Sequence, residues 1–446
     1  PGPCEIALYG SGARHTAFGA SGGGSAVTIE EGLTQAGFQI LSKDWLDRYD
    51  ELRGKKPKAR RGKNLPNPEG DSRRMPLEQR CNTAIYVLTR QSHKEDRSRT
   101  PGDLLLTAEE QRDILVLGAM YPVFLLVLNT AGPVDLSPVL DQTDDVLLLG
   151  QLGTETGAVL SGILLGQSYP SGKLAVTWAF PECPETKGDS KTHYYKEGIY
   201  GGYRYFDSTQ EPTLFPFGFG LGYTDFRVTP GEVLLSGGQV TAWVQVRNIG
   251  AFPGKEVVQL YLSSPWGELD QPAKALAAFG KTKLLSPGES CRLELRFRLE
   301  DLAGFSVRRQ AYVLEKGDHV LYCGTSSQSL CPMALLRLTR TVETRKVRDA
   351  IEDPGFADWK PEKPRAVPEG LPVYTVDGDA LETGSPAYED KNQPDPRTQG
   401  LQDEDLVRLC LGGFGGKNAS HSGAIGETTS ALKGIPALSM VRGPQG

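Results

Sequence analysis

The sequence has no closely paired cysteines, no long hydrophobic run and no surplus of positive charge, and each absence excludes a class of protein. Its seven cysteines are odd in number, spread from Cys4 to Cys410 and never in CxxC spacing. They read as reduced core or surface thiols, neither a zinc site nor a disulfide framework. The longest apolar stretches, Val123 to Leu128 and Val146 to Leu152, fall far short of the roughly 18 residues that span a bilayer. No signal peptide stands at Pro1, so a cytoplasmic protein off the membrane is expected. The net charge is −6, which argues against nucleic-acid binding, where Lys and Arg contacts to phosphate dominate. One basic run, RGKKPKARRGK from Arg53 to Lys63, carries seven cations in eleven residues but no interleaved aromatics. It reads as a solvated loop.

What remains is an ordinary globular composition, 38% hydrophobic and 23% charged over 446 residues, too long for a single core. The stretch with most to say is Thr83 to Ala119, TAIYVLTRQSHKEDRSRTPGDLLLTAEEQRDILVLGA. Its β-branched and aromatic start, Thr83 to Arg90, predicts a buried strand. Thr107 followed by Glu110 is a capping box that predicts a helix start. Between them lies a charged loop with Glu95, Asp96 and Arg97. In a parallel sheet the loop after a strand's carboxyl end is where ligands are met, although solvated surface is the plainer reading of such a loop.

From the beginning, Cys4 to Tyr9 predicts a short strand and is followed by GSGARHTAFGASGGGS. A dinucleotide loop would need a third glycine where His15 stands, and a helix sooner than Thr28 to Ala36. The loop can instead line a substrate cleft with Arg14 and His15 as polar contacts. Pro122 to Thr130 and Asp145 to Gly150 predict further strands, and Thr154 to Leu165 a helix before KLAVTW. Alternation of this kind implies a mainly parallel α/β sheet covered on both faces. Gly198 to Phe226 is so rich in glycine and aromatics that no regular helix is expected there, only packing against a neighbouring domain.

From Phe226 the period changes to two, in QVTAWVQVRN, EVVQLYLSS, CRLELRFRL and AYVLEKGDHVLYCG, which predicts an all-β sandwich. Eight prolines between Pro354 and Pro396 suggest an extended strap. The expected organisation is an α/β sandwich domain over 1–225, a β-sandwich over 226–338, a proline-rich linker over 339–400 and a last domain that begins in 401–446.

The order of motifs resembles glycoside hydrolase family 3, the β-glucosidase family, in its members with permuted domain order. There the α/β sandwich and a fibronectin type III-like domain precede a (β/α)8 barrel. IALYGSGARHTAFG with VTIEEGLTQAGF looks like the sandwich domain's first strand, loop and helix. YPSGKLAVTW, YGGYRYFD and LFPFGFGLGYTDF look like its closing motifs. KEVVQLYLSSP with QPAKALAAFGKTKLLSPGES is similar to the fibronectin-like domain, and AIGETTSALKGIPALSMVRGPQG looks like the opening of the barrel.

The resemblance implies retaining hydrolysis of terminal, non-reducing β-linked sugars, without cofactor or metal, on a small oligosaccharide or an aryl β-glycoside. Such chemistry needs a nucleophilic carboxylate and an acid/base about 5 Å apart. In the family the nucleophile is a barrel aspartate that this chain does not reach, so a second chain or more polypeptide would have to supply it; a homo-oligomer is also open. The acid/base is a glutamate on a sandwich-domain loop of the form RxSGEGxDR followed by GD, here RQSHKEDRSRTPGD. Glu95 is the residue carried over, with Arg97 holding the loop or a carboxylate. The glycines that flank the family's glutamate are replaced by His93 and Lys94, and a neighbouring lysine lowers a carboxyl pKa. Near the end of the chain Arg442, in RGPQG, stands where the family has a sugar-binding aspartate, and a cation cannot accept hydrogen bonds from hydroxyls. The alternative is a catalytically inactive homologue that serves as a carbohydrate-binding or structural subunit.

Overall fold

The computed structural model describes residues 2–19, 26–54, 75–90, 100–183, 197–347, 366–381, 383–384, 395–410, 412–414, 424–429, 431–436 and 439–441. Glu95, Arg97 and Arg442, and nearly all of the basic run, lie outside them. The chain divides into two compact units, one made of 1–132, 139–162 and 387–446, the other of 133–138 and 163–386.

The first unit is built on a five-stranded sheet in which every pairing is parallel. Its elements are β1 Glu5–Tyr9, α1 Ile29–Gln35, β2 Gln39–Ile40, α2 Lys43–Gly54, β3 Thr83–Arg90, α3 Ala108–Met120, β4 Val123–Thr130, β5 Asp145–Leu148 and α4 Thr156–Leu164. The strand order is β2-β1-β3-β4-β5, so the direction of winding reverses between β1 and β3. β3 is buried from Ala84 to Arg90, as a central strand covered on both faces must be. Thr107 caps α3 as its spacing predicts, accepting from Glu110 N at 3.1 Å while the Glu110 carboxylate accepts from Thr107 N at 2.9 Å. The same device starts α1 at Thr28 with Glu31.

Asp113, on the inner face of α3, is 1% exposed, with Arg112 as its charged partner. Burial pushes its pKa from 3.8 up to about 6, and Arg112 offsets only part of that. Native Asp113 therefore holds its proton better than the unfolded chain does between pH 4 and 6, so stability falls as pH rises through that window. Two pKa units amount to about 3 kcal/mol. Asp113→Asn is expected to raise stability at pH 7 by about 2–3 kcal/mol and to change it little at pH 4. Urea unfolding midpoints at the two pH values check this, and an equal gain at both would refute it.

The second unit holds β6 Trp178–Ala179, α5 Tyr203–Thr209 and β7 Thr213–Phe215, followed by the sandwich strands. These are β8 Phe226–Ser236, β9 Gln239–Asn248, β10 Val257–Ser263, β11 Ala275–Lys281, β12 Ser290–Arg298, β13 Gly304–Ser306, β14 Ala311–Leu314, β15 Gly317–Gly324, β16 Leu330–Leu338, β17 Val342–Lys346 and β18 Val373–Val376. They form sheets of order β11-β10-β15-β16-β18, β12-β9-β8 and β13-β14-β17. On β9 the period of two is explicit, since Val240, Ala242, Val244 and Val246 are all fully buried in the common core.

The structure corrects two expectations here. The aromatic segment does contain a helix, Tyr203–Thr209 (YRYFDST), which Gly202 at φ 58° opens and Gln210 at φ 61° closes. Gly202 stands before its first turn, where positive φ is wanted, and its aromatics anchor it. Tyr203 stacks on Phe217 and meets Tyr261 edge-on, while its hydroxyl accepts from Leu276 N at 2.9 Å. The 339–400 stretch is more than a strap, because it adds β17 and also β18, which runs parallel to β16.

The terminal stretch forms α6 Asp403–Cys410 and a three-stranded antiparallel sheet, β19 Gly412–Phe414, β20 Ala424–Thr429 and β21 Ser439–Val441. Among the described residues no helix is long and apolar enough to cross a membrane.

Candidate functional site at the sheet's carboxyl edge

In an open, doubly wound sheet the ligand crevice lies beyond the strands' carboxyl ends at the point where the winding reverses. In this chain that point is the gap between β1 and β3. The glycine-rich loop leaves β1 there, and the segment that carries Glu95 leaves β3 there.

The loop after β1 is pressed against β3. Gly10 has φ 88°, and a Cβ on it would lie 2.4 Å from the Val87 carbonyl oxygen; one on Gly12 would lie 2.5 Å from a Val87 methyl. Glycine stands at both positions because the loop backbone runs against β3, against its main chain at Gly10 and against the Val87 side chain at Gly12, which explains the GSG text without a bound dinucleotide.

Arg14 and His15 follow at once, and the structure brings them together in an acidic cluster. The Arg14 guanidinium donates to both oxygens of Glu30, at 2.5 and 3.1 Å, to Asp47 at 2.7 Å and to Asp50 at 3.1 Å. His15 Nε2 lies 2.7 Å from the other Asp50 oxygen. Glu30 above all, then Asp47 and Asp50, hold the Arg14 pKa above its ordinary value despite partial burial. Arg14 thus braces the loop against α1 and α2, and the carboxylates around it outnumber its charge. Groups that accept hydrogen bonds, as sugar hydroxyls require, are concentrated here.

The stem of the 91–99 segment is held by a residue that sequence reasoning passed over. Arg90, the last residue of β3, is 2% exposed, and so is its partner Glu110. Its Nη1 and Nη2 donate to the two Glu110 oxygens at 2.8 Å each, the bidentate fork that arginine favours. Nε donates to Asp103 O at 2.9 Å, Nη1 also to Thr89 O at 3.0 Å and Nη2 to Leu105 O at 3.4 Å. Gln151 donates to the Arg90 carbonyl at 3.1 Å. One guanidinium therefore ties the exit of β3 to the return of the chain before α3. Glu110 serves it and the helix cap together.

Asn129, fully buried at the end of β4, stitches the neighbouring loops. It accepts from Ala17 N at 2.6 Å and donates to Ala17 O at 2.9 Å and Gly150 O at 2.7 Å. In sequence, Arg90 and Asn129 were each the first strong polar group after an apolar strand, and that was the signal available.

The chain's relatives fit this arrangement. The family model described as the glycosyl hydrolase family 3 C-terminal domain matches residues 2–223, and that of a fibronectin type III-like domain matches residues 256–327. The chain belongs to glycoside hydrolase family 3. β-Glucosidase A of Butyrivibrio fibrisolvens is 39% identical over 254 residues, which is 50% of this chain and 31% of the relative. A β-glucosidase of Ruminococcus albus is 31% identical over 339 residues, 71% of this chain and 35% of the relative.

In structure, a β-glucosidase from Paenibacillus barengoltzii aligns at TM-score 0.77 and 26% identity, over 99% of this chain and 55% of that one. β-Glucosidase 3B from Thermotoga neapolitana, solved in complex with glucose, aligns at TM-score 0.66 and 29% identity, over 76% and 51% of the two chains. The chain thus spans about a third of the length of these curated relatives and about half of the solved ones.

Proposed function

We propose that this family 3 chain supplies the α/β and fibronectin-like portion of a β-glucosidase-type enzyme that hydrolyses terminal, non-reducing β-linked sugars with retention. The substrate class is a small oligosaccharide or aryl β-glycoside, read from the relatives' names. Glu95 is the general acid/base, carried in on the segment that leaves β3, and protonates the leaving oxygen as the glycosidic bond breaks. The nucleophilic carboxylate comes from a barrel that the terminal stretch leads into and that lies outside this sequence.

The observation that supports this reading most is the arrangement at the switch point. The segment with Glu95 departs where a doubly wound sheet meets its ligands, and a buried arginine fixes both of its stems. Arg14, through Asp47 and Asp50, and His15 lend a polar rim able to receive sugar hydroxyls, while Arg97 and Arg442, as donors only, can contact sugar oxygens. An inactive, structural role finds no support in relatives that are named as β-glucosidases.

The test is release of p-nitrophenol from a panel of aryl β-glycosides, by the chain alone and with a family 3 barrel supplied. The chain alone is expected to be inactive and the completed enzyme active. Hydrolysis by the chain alone would overturn the placement of the nucleophile, and inactivity of a folded, completed enzyme would overturn the function.

A further inference from the structure

We propose that Cys323 and Cys331 form a reversible intramolecular disulfide across β15 and β16, made by thiol–disulfide exchange with a small disulfide such as oxidised glutathione. The two residues are direct partners in the antiparallel register of those strands. Directly opposed residues in such a ladder have Cα atoms about 4.5 or 5.5 Å apart and side chains on one face. Both spacings fall within the roughly 4.4–6.8 Å that a disulfide spans. Both thiols are free, Cys323 buried in the sandwich core and Cys331 exposed at its rim. No other two of the seven cysteines stand opposite one another in the described strands.

The difference in exposure orders the chemistry. Burial, and then the nearby Cys331, push the Cys323 thiol up to about 12, so the buried sulfur makes a poor first nucleophile. Cys331 Sγ, as thiolate, attacks one sulfur of the glutathione disulfide. The oxidant's S–S bond breaks, a mixed disulfide forms on Cys331, and one glutathione thiolate leaves and takes up a proton. Cys323 then gives up its proton to solvent and attacks Cys331 Sγ, which expels the second glutathione. Two protein thiols are oxidised, and one small disulfide is reduced to two thiols.

The bond would close the turn at 325–329, whose contacts reach beyond the hairpin. Ser327 N donates to Phe217 O at 2.9 Å, Ser327 Oγ lies 3.3 Å from an Asp207 oxygen, and Thr325 O accepts from Gln259 at 2.7 Å. Oxidation therefore stiffens the turn on which the α5 segment rests.

Both cysteines fall in one tryptic peptide, Gly317 to Arg337, which makes the test direct. The folded chain is incubated with oxidised glutathione, alkylated without reduction, digested and weighed. That peptide is expected to lose two hydrogens, to resist alkylation at both cysteines and to recover on adding dithiothreitol. Thermal unfolding of the oxidised chain should move to a higher midpoint. Cys331→Ser should abolish the bond, and Cys323→Ala should trap glutathione on Cys331. The proposal fails if the wild-type peptide stays a dithiol, or keeps glutathione on Cys331 without closing, while exposed Cys4 and Cys410 take up glutathione. The wild-type result stands whether or not the variant in the core folds.

Discussion

In the barrel-completed enzyme, Glu95→Gln is expected to lower kcat by about 10²–10⁴-fold on a glycoside whose leaving alcohol is weakly acidic, the usual contribution of a positioned general acid. On a dinitrophenyl glycoside, whose leaving group departs without a proton, formation of the glycosyl-enzyme needs no acid. The fall there is confined to the second step, in which the same carboxylate activates water. The two substrates should therefore diverge. Steady-state kinetics on a leaving-group series decide it. If Glu95→Gln slows all substrates equally, the residue positions rather than protonates, and if it slows none, the acid lies elsewhere.

Removal of the buried guanidinium beneath that segment should produce the largest loss of stability. Arg90→Ala leaves the Glu110 carboxylate 2% exposed without its charge partner, and removing one member of a buried ion pair costs about 3–5 kcal/mol. The Asp103, Leu105 and Thr89 carbonyls lose a donor as well. Glu110→Gln in the Arg90→Ala background should restore part of the loss, because a neutral amide is cheaper to bury unpaired and can still accept from Thr107 N. Chemical unfolding of Arg90→Ala, Glu110→Gln and the double variant measures this as a double-mutant cycle. A cost below about 1 kcal/mol for Arg90→Ala would show that water reaches the pair.

Four strands of the parallel sheet were legible because they are apolar runs with few alternatives, whereas β2, only two residues long, was not. Thr83–Arg90 is found with the bounds its composition predicts, and the Thr107 to Glu110 spacing marks the helix start. The sandwich was legible for the opposite reason, an alternation of two that places Val240, Ala242, Val244 and Val246 on one face. The short helix Tyr203–Thr209 was not, because its glycines suggested irregular chain. Aromatic contacts distant in sequence supply the stabilisation that a seven-residue helix lacks on its own. β18 was hidden for a related reason. A four-residue strand among prolines has no strong pattern, and only the free edge of β16 recruits it.

The site divides in the same way. The sequence by itself determined the family, the two fold classes and Glu95 as the candidate acid, since those rest on local patterns and on the order of motifs. It also marked Arg14 and His15, but not what they do. Only the tertiary structure decided that Arg14 spends its donors on Glu30, Asp47 and Asp50, carboxylates 16 to 36 residues away. It alone revealed Arg90 as the clamp at the foot of the Glu95 segment. It also set Cys323 opposite Cys331, although in sequence they are merely two of seven scattered thiols. Each of these is a pairing of polar or reactive groups, and no local pattern of hydrophobicity encodes which partner such a group meets. That is settled when the strands take their register and the sheet buries its ends.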